Sequence, residues 1–431
     1  MTLNRHISIG LIFFFSLANH VVGTTYEVGP DTPLTVDQAI DAAAPGDIIY
    51  LDGGRYMLDH SITIAKSGTQ DNPISLVAAP GETPILDFRN NPRHANRPQP
   101  RDNDSIAATG DAVGLLVTGD WWHIKGLTVY NAPYYGVRVY GSNNIFEQLS
   151  LTKNHAAGLE ITGKDGRIPS HNLVLNCDSY LNSDRQTNGE DADGFAAKFE
   201  TLGPGNVFRG CRAWYNSDDG FDFWHAANPV LVEHTWVFEN GWKRDEFNIP
   251  SGTYRGDGMG FKLGQDASRI TLNNVVAWHN KGFGIDDNGN RNPKGCIINH
   301  ATVINNAKYF SIQVSLNDGQ PHTIKNSIAF EVSESGFTEF RGNVDDTHNT
   351  WNGMPVSKDD FLSFDSTLLF KPRNADGTLP VTQFLRLTPD SNLVDAGVDV
   401  GLPYHGSAPD LGAFELTDEP LSNVVDWGIE Q

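Results

Sequence analysis

Asp193, Asp218, Asp219 and Asp222 lie within thirty residues of one another, and Lys262 follows Asp222 by forty. Carboxylates held close together repel and raise one another's pKa unless a cation compensates. The set offers oxygen alone, without the Cys or His that zinc prefers, so Ca2+ is the expected occupant, with backbone carbonyls or water completing its shell. For any single Asp near a turn, an Asx-turn is the plainer reading. A lysine beside such a cluster is either the partner of a salt bridge or, once neutral, a base. Both chemistries require that the chain bring these five residues together.

A repeat does so. From about residue 121 the sequence divides into lines that each carry an Asn, a short turn, a Gly and an alternating apolar segment. The Asn column reads Asn131, Asn154, Asn182, Asn216, Asn240, Asn280 and Asn306; the Gly column reads Gly136, Gly158, Gly194, Gly220, Gly260 and Gly284. Each Gly is followed by an apolar residue (Val137, Leu159, Phe195, Phe221, Phe261, Ile285), and apolar residues recur two further on, the period of a strand with one buried face. Lines are roughly 22 to 26 residues long, enough for one coil of a parallel β-helix and too short for a crossover with a packed helix. The Asn column reads as a buried ladder of stacked amides.

Stacking the lines puts Arg138, Glu160, Ala196, Asp222, Lys262 and Asp286 in one outward column, with neighbours about 4.8 Å apart. A second column makes Asp193 and Asp219 neighbours, with Asp218 adjoining. The two largest insertions, Asp184 to Asp193 and Asn240 to Gly260, flank the patch, and loops beside a rigid solenoid form binding grooves. Trp242, Lys243, Arg244, Tyr254 and Arg255 on the second insertion suit a sugar ring and its carboxylate, and equally suit an ordinary exposed loop.

The rest of the chain frames this solenoid. Residues 1–23 read as a secretory signal, with Arg5, the apolar run Ile7 to Ala18 and cleavage near Gly23, so the mature protein is expected to be secreted or periplasmic. No later segment reaches the roughly 20 apolar residues of a membrane span. Thr35 and Gln38 form a capping box opening a short helix through Ala43, which should cover the open end of the solenoid before Gly46–Leu51 starts the strands. The expected organisation is all-β: a single right-handed parallel β-helix domain over 24–431, with an N-terminal cap at about 24–50, repeats at about 121–332 and a C-terminal tail at about 333–431. Phe88 to Ala107, with Arg89, Arg93, Arg97 and Arg101, reads as a long loop. The balance of 31 basic against 53 acidic residues, a formal charge of -22, argues against nucleic acid and makes an acidic partner awkward without a cation between. Cys177 and Cys211 should stack as buried thiols on adjacent coils, with Cys296 in another column.

The segments Asp191-Ala-Asp-Gly-Phe-Ala-Ala-Lys198, Gly203-Pro-Gly-Asn-Val-Phe208, Asn216-Ser-Asp-Asp-Gly-Phe-Asp222 and Gly258-Met-Gly-Phe-Lys-Leu-Gly264 resemble polysaccharide lyase family nine, whose best-known members are pectate lyases. The likeness runs from about Tyr26 to Glu415. It implies that Asp193, Asp218, Asp219 and Asp222 bind calcium and that Lys262 is the base of a β-elimination on a uronic acid polymer, pectate first. Met259 departs from the family pattern. From their place on the second insertion, Arg255, Lys243, Arg244 and Trp242 are the candidates for binding an acidic polysaccharide, and the protein is expected to act as a monomer.

Three other readings compete. A rhamnogalacturonan or other uronate lyase would share the chemistry. A polygalacturonase-like hydrolase would use paired carboxylates and water, but the chain lacks the Gly-His-Gly and Arg-Ile-Lys motifs of such enzymes. A non-catalytic β-helix carbohydrate-binding protein would leave polymer length unchanged.

Overall fold

The computed structural model describes residues 23–95, 112–289, 294–313, 320–330, 339–341 and 343–417. The leader through residue 22, Arg97, Arg101 and the expected end of the repeats at 332 lie outside the described residues. Strands from successive coils pair in parallel, as in Phe195–Ala197 on Phe221–Asp222, Asn206–Arg209 on Val230–Glu233 and Arg212–Trp214 on Trp236–Phe238. A full coil thus contributes three short strands. One face forms a 10-stranded sheet, and the other two merge into a 20-stranded sheet that bends around an edge.

The side chains that point inward make one continuous core. Beneath the acidic patch it is aromatic: Phe195, Phe221 and Phe261 stack with ring centroids 5.0 and 5.4 Å apart, each on its own coil. The Gly column has a spatial cause. A Cβ on Gly220 would lie 2.6 Å from the carbonyl oxygen of Gly260, and one on Gly194 would lie 2.7 Å from that of Gly220. No side chain fits where the turns stack this closely.

The Asn ladder runs as a chain of amides. Asn154 Nδ2 donates to Asn182 Oδ1, Asn182 to Asn216, Asn216 to Asn240, Asn240 to Asn280 and Asn280 to Asn306, at 2.9 to 3.0 Å. Asn131 is not a rung: the backbone N–H of Ala132 donates to Asn154 Oδ1, so Ala132 holds that position and Asn131 takes the left-handed conformation before it (φ 57°). A second ladder, unmarked in the sequence reading, links Trp122, Asn144, Asn172 and Asn206. Its column continues to Cys296, whose N–H donates to His322 Nδ1, an imidazole standing where the earlier coils have an amide.

The coils also start earlier than the repeat pattern implies. Thr25–Val28 pairs with Ile48–Leu51, and that strand with Ile74–Ala78, so the solenoid is built well before residue 121 and its first strand precedes the helix. These first coils lack the Asn mark, and the Gly mark appears in them only at Gly114, which stacks on Gly136. The helix spans Val36–Ala42 with the capping box of Thr35 and Gln38 in place, and buries Val36, Ala39 and Ile40 against the first coils. Downstream, the tail packs along the solenoid's side, with Leu369, Phe384 and Leu393 against Trp236, Val276 and Trp278. Arg212 and Arg373 both grip Asp178, and Arg212 also donates to the carbonyls of Leu369 and Lys371. Cys177, Cys211 and Cys296 are buried thiols.

Burial holds His322 neutral, lowering its pKa from 6.5 to about 4. The unfolded chain therefore binds the extra proton first, so this contribution to stability is complete above about pH 6.5 and is lost as pH falls toward 4; its full size is on the order of 3 kcal/mol. His322→Asn keeps an acceptor for the Cys296 N–H. In urea melts at pH 7 and pH 4.5, the variant should lose less stability on acidification than the parent does.

Candidate functional site

The register of the 10-stranded sheet assembles the site. Arg138 pairs with Glu160, Glu160 with Ala196, Ala196 with Asp222, Asp222 with Lys262 and Lys262 with Asp286, one outward column along the solenoid. The turn before each strand adds Asp193 and Asp219, stacked so that the Asp219 N–H donates to Asp193 Oδ1 at 3.3 Å. Backbone amides fix the other carboxylates in the same manner. Trp224 N–H donates to Asp222 Oδ1 (2.9 Å), Asp257 N–H to Asp218 Oδ1 (2.7 Å) and Met259 N–H to Asp219 Oδ1 (2.7 Å).

Two of those amides come from the Asn240 to Gly260 insertion, so this loop is part of the site. It is held down by Tyr254, whose hydroxyl donates to the Ser217 carbonyl at 2.6 Å, and by Lys281, which donates to the Gly256 carbonyl. Gly256 sits so close to Ser217 that a Cβ would overlap its carbonyl oxygen. The loop also delivers Asp257, whose carboxylate lies 3.6 Å from Lys262 Nζ and is half exposed.

With one oxygen pinned on each, the aspartates have the other left to give. Asp193, Asp219 and Asp222 each place a carboxylate oxygen within 4.8 Å of the others, and all are buried. Asp218 is buried alongside but is not part of that trio. Asp219 Oδ2 is buried and accepts no hydrogen bond, although Lys262 Nζ stands 3.1 Å away. A buried, oxygen-only trio with an unsatisfied acceptor suits a hard divalent cation. Lys262 Nζ is also 3.9 Å from Asp222 and its side chain is only 13% exposed. A second cation, Lys198, bridges Asp193 (2.8 Å) and Asp222 (2.7 Å).

The charges are strongly perturbed. Burial, reinforced by the neighbouring carboxylates, raises Asp219 to about 8 and Asp218 well above the usual range; burial also lifts Asp193, to about 6, against the pull of Lys198. At Asp222 burial is outweighed by Lys198 and Lys262, and its pKa falls. Burial disfavours the charged form of Lys262, but Asp219, Asp222 and their neighbours outweigh it and push its pKa well up.

The residues expected to meet substrate are placed unevenly. Trp242 is 40% exposed, stacked on His279 at 5.2 Å with its indole N–H on the His279 carbonyl. Arg255 is exposed; its backbone N–H donates to the Asn188 carbonyl. Lys243 and Arg244 face their own loop: Lys243 is 3.4 Å from Asp245, while Arg244 pairs with Glu246 and lies 3.8 Å over the Tyr215 ring. Sequence reasoning missed Lys198, Asp257 and Trp224, the last an exposed indole two residues beyond Asp222, braced by His225 and Phe199.

The family profile described as "Pel9A-like, right handed beta helix region" matches residues 23–318. The chain is 37% identical over 403 residues to "Pectate lyase L" of Dickeya chrysanthemi, covering 89% of this chain and 86% of that protein. Among solved structures it is similar to pectate lyase Pel9A, with a TM-score of 0.80 and 35% identity over 92% of this chain and 98% of that one. A "Rhamnogalacturonan lyase" is similar at a TM-score of 0.66 and 26% identity, covering 85% of this chain and 97% of its own.

If the carboxylates are held for a cation, removing one charge should stabilise the empty protein. Asp218→Asn keeps an acceptor for the Asp257 N–H and relieves repulsion with Asp219. Its melting temperature in chelator should rise by a few degrees, and the further rise on adding Ca2+ should shrink relative to the parent, as read by scanning calorimetry.

Proposed function

We propose, on the premise that this chain belongs to the Pel9A-like right-handed β-helix family, that it cleaves pectate by β-elimination. It is a polysaccharide lyase. One observation carries the mechanism: the register that sets Lys262 against Asp219 and Asp222 beside a trio of buried carboxylates.

In a galacturonate unit the C5 proton is α to the carboxylate. Its removal lets the C5 electron pair form the C4–C5 double bond as the C4–O bond breaks. Asp193, Asp218, Asp219 and Asp222 would hold Ca2+, which when bound supplies positive charge to the substrate carboxylate. Lys262 takes the C5 proton. To do so it must first be neutral, and the carboxylates around it oppose that form. Activity should therefore climb as pH rises toward the alkaline range. Arg255, exposed two residues before Asp257, and the Trp242 ring support a reading in which they take the carboxylate and the face of neighbouring sugars. Lys243 and Arg244 were candidates for the same task, but their loop partners leave them less available.

A rhamnogalacturonan substrate is a second reading, favoured by the second solved structure. The chemistry would be the same, and relative rates on pectate and rhamnogalacturonan separate the two. Export through the leader ending near Gly23 and action as a monomer belong to the proposal. Among the described residues, no helix is long and apolar enough to cross a membrane.

Lys262→Ala removes an outward side chain between the packed Phe261 and Leu263, so the fold should persist. The rate of unsaturated-product formation, read by ultraviolet absorbance, should fall about 100-fold to 10,000-fold, with calcium binding retained. A folded, calcium-binding variant with near-parent activity would place the base elsewhere. Arg255→Ala should chiefly raise KM. Exhaustive chelation should abolish activity, and calcium should restore it where zinc does not.

A further inference from the structure

Lys198 follows the strand Phe195–Ala197 and points to the same outward side as Ala196 and its neighbours Asp222 and Lys262. Its side chain is 12% exposed. Its contacts differ from those of Lys262. Lys198 Nζ lies 2.8 Å from Asp193 Oδ2 and 2.7 Å from Asp222 Oδ2, whereas the carboxylate distances of Lys262 are 3.1, 3.6 and 3.9 Å. The Oδ1 atoms of Asp193 and Asp222 already accept backbone N–H groups. Lys198 therefore takes from each the oxygen it has left to offer a metal ion.

The charge count has the same sense. The four buried carboxylates less two ammonium groups leave a formal charge of -2, and Asp257, half-exposed at 3.6 Å from Lys262 Nζ, adds a further carboxylate at the rim.

We propose that Lys198 is a tethered counter-cation that joins Asp193 and Asp222 when the site is empty, gives up their oxygens to the metal, and lowers the negative charge that the metal meets. This rests on the calcium reading above. Lys198 is a positioning residue in this account, and Lys262 remains the base. A cation of charge +1 within a few ångströms of a bound +2 ion is strongly unfavourable at interior dielectric values. Losing it should thus tighten metal binding more than the lost bridge weakens it.

The test uses the full mature protein, with Lys198→Met to remove the charge and Lys198→Arg to keep it. By calorimetric titration, Lys198→Met should bind Ca2+ at least about tenfold more tightly than the parent, a shift of about 1.4 kcal/mol. Its gain for the trivalent ion Tb3+ should be larger still, because its cluster carries one more negative charge than the parent's. In chelator it should melt below the parent. Lys198→Arg should stay near the parent in all three. Should Lys198→Met fail to fold, the parent protein suffices: reductive methylation followed by peptide mass spectrometry should label Lys198 faster in Ca2+ than in chelator. A parent that binds Ca2+ with a variant that binds it equally or more weakly overturns this inference alone, as does unchanged labelling of Lys198. Absence of Ca2+ binding in both proteins overturns the calcium reading and this inference with it.

Discussion

A slip of one residue between the coils that carry Asp222 and Lys262 would turn both side chains inward and Phe221 and Phe261 outward, because alternate residues on a strand face opposite sides. The site exists only while coil register holds. Three features hold it together. The amide ladder from Asn154 to Asn306 accepts a correct partner only one coil away. The Phe195, Phe221 and Phe261 rings stack in the same register. At Gly220 the turns approach so closely that only a glycine in line fits. Each acts along the solenoid axis, the direction in which the acidic residues are brought together.

That rigidity explains how carboxylates can stay buried side by side. Taking charges out of water is costly unless partners are in place before folding ends. Here the partners are backbone N–H groups at residues 219, 224, 257 and 259, fixed by strand and loop geometry, together with the ammonium groups of Lys198 and Lys262. The Asn240 to Gly260 insertion therefore does more than wall a groove. It donates to one oxygen each of Asp218 and Asp219, and its own fixing through Tyr254 and Gly256 is a condition for the site.

What the sequence disclosed and what it hid follow from the same geometry. The column holding Asp222 and Lys262 was legible because every line marks its Gly, and counting two residues onward lands on the outward face. Asn131 was misassigned because Ala132 breaks the residue type at the rung, leaving a neighbouring Asn as a decoy. Lys198 and Trp224 sit four residues after Gly194 and Gly220, where the other lines carry Tyr140, Thr162, Gly264 and Asn288. A position with no recurring residue type gives no column to read. Asp257 was hidden for another reason: an insertion's path back to the solenoid is not fixed by the repeat that it interrupts. The coils before residue 121 lack the Asn mark and carry the Gly mark only at Gly114, a single instance that makes no column by itself.

An acidic protein acting on an acidic polymer raises a conflict that the site resolves locally. The formal charge of -22 is spread over the whole chain, and at physiological ionic strength its influence fades over about 8 Å. Beyond that distance the polymer meets a screened surface; within it, the composition of the groove decides. The site offers Lys198, Lys262 and, on the proposal above, Arg255 and a divalent ion, against carboxylates whose charge is already shared among backbone amides and ammonium groups. On that proposal, attraction is concentrated where a proton would leave C5. A surface basic throughout would grip the polymer at any point along its length, whereas this arrangement rewards only the register that sets a uronate carboxylate beside the buried trio.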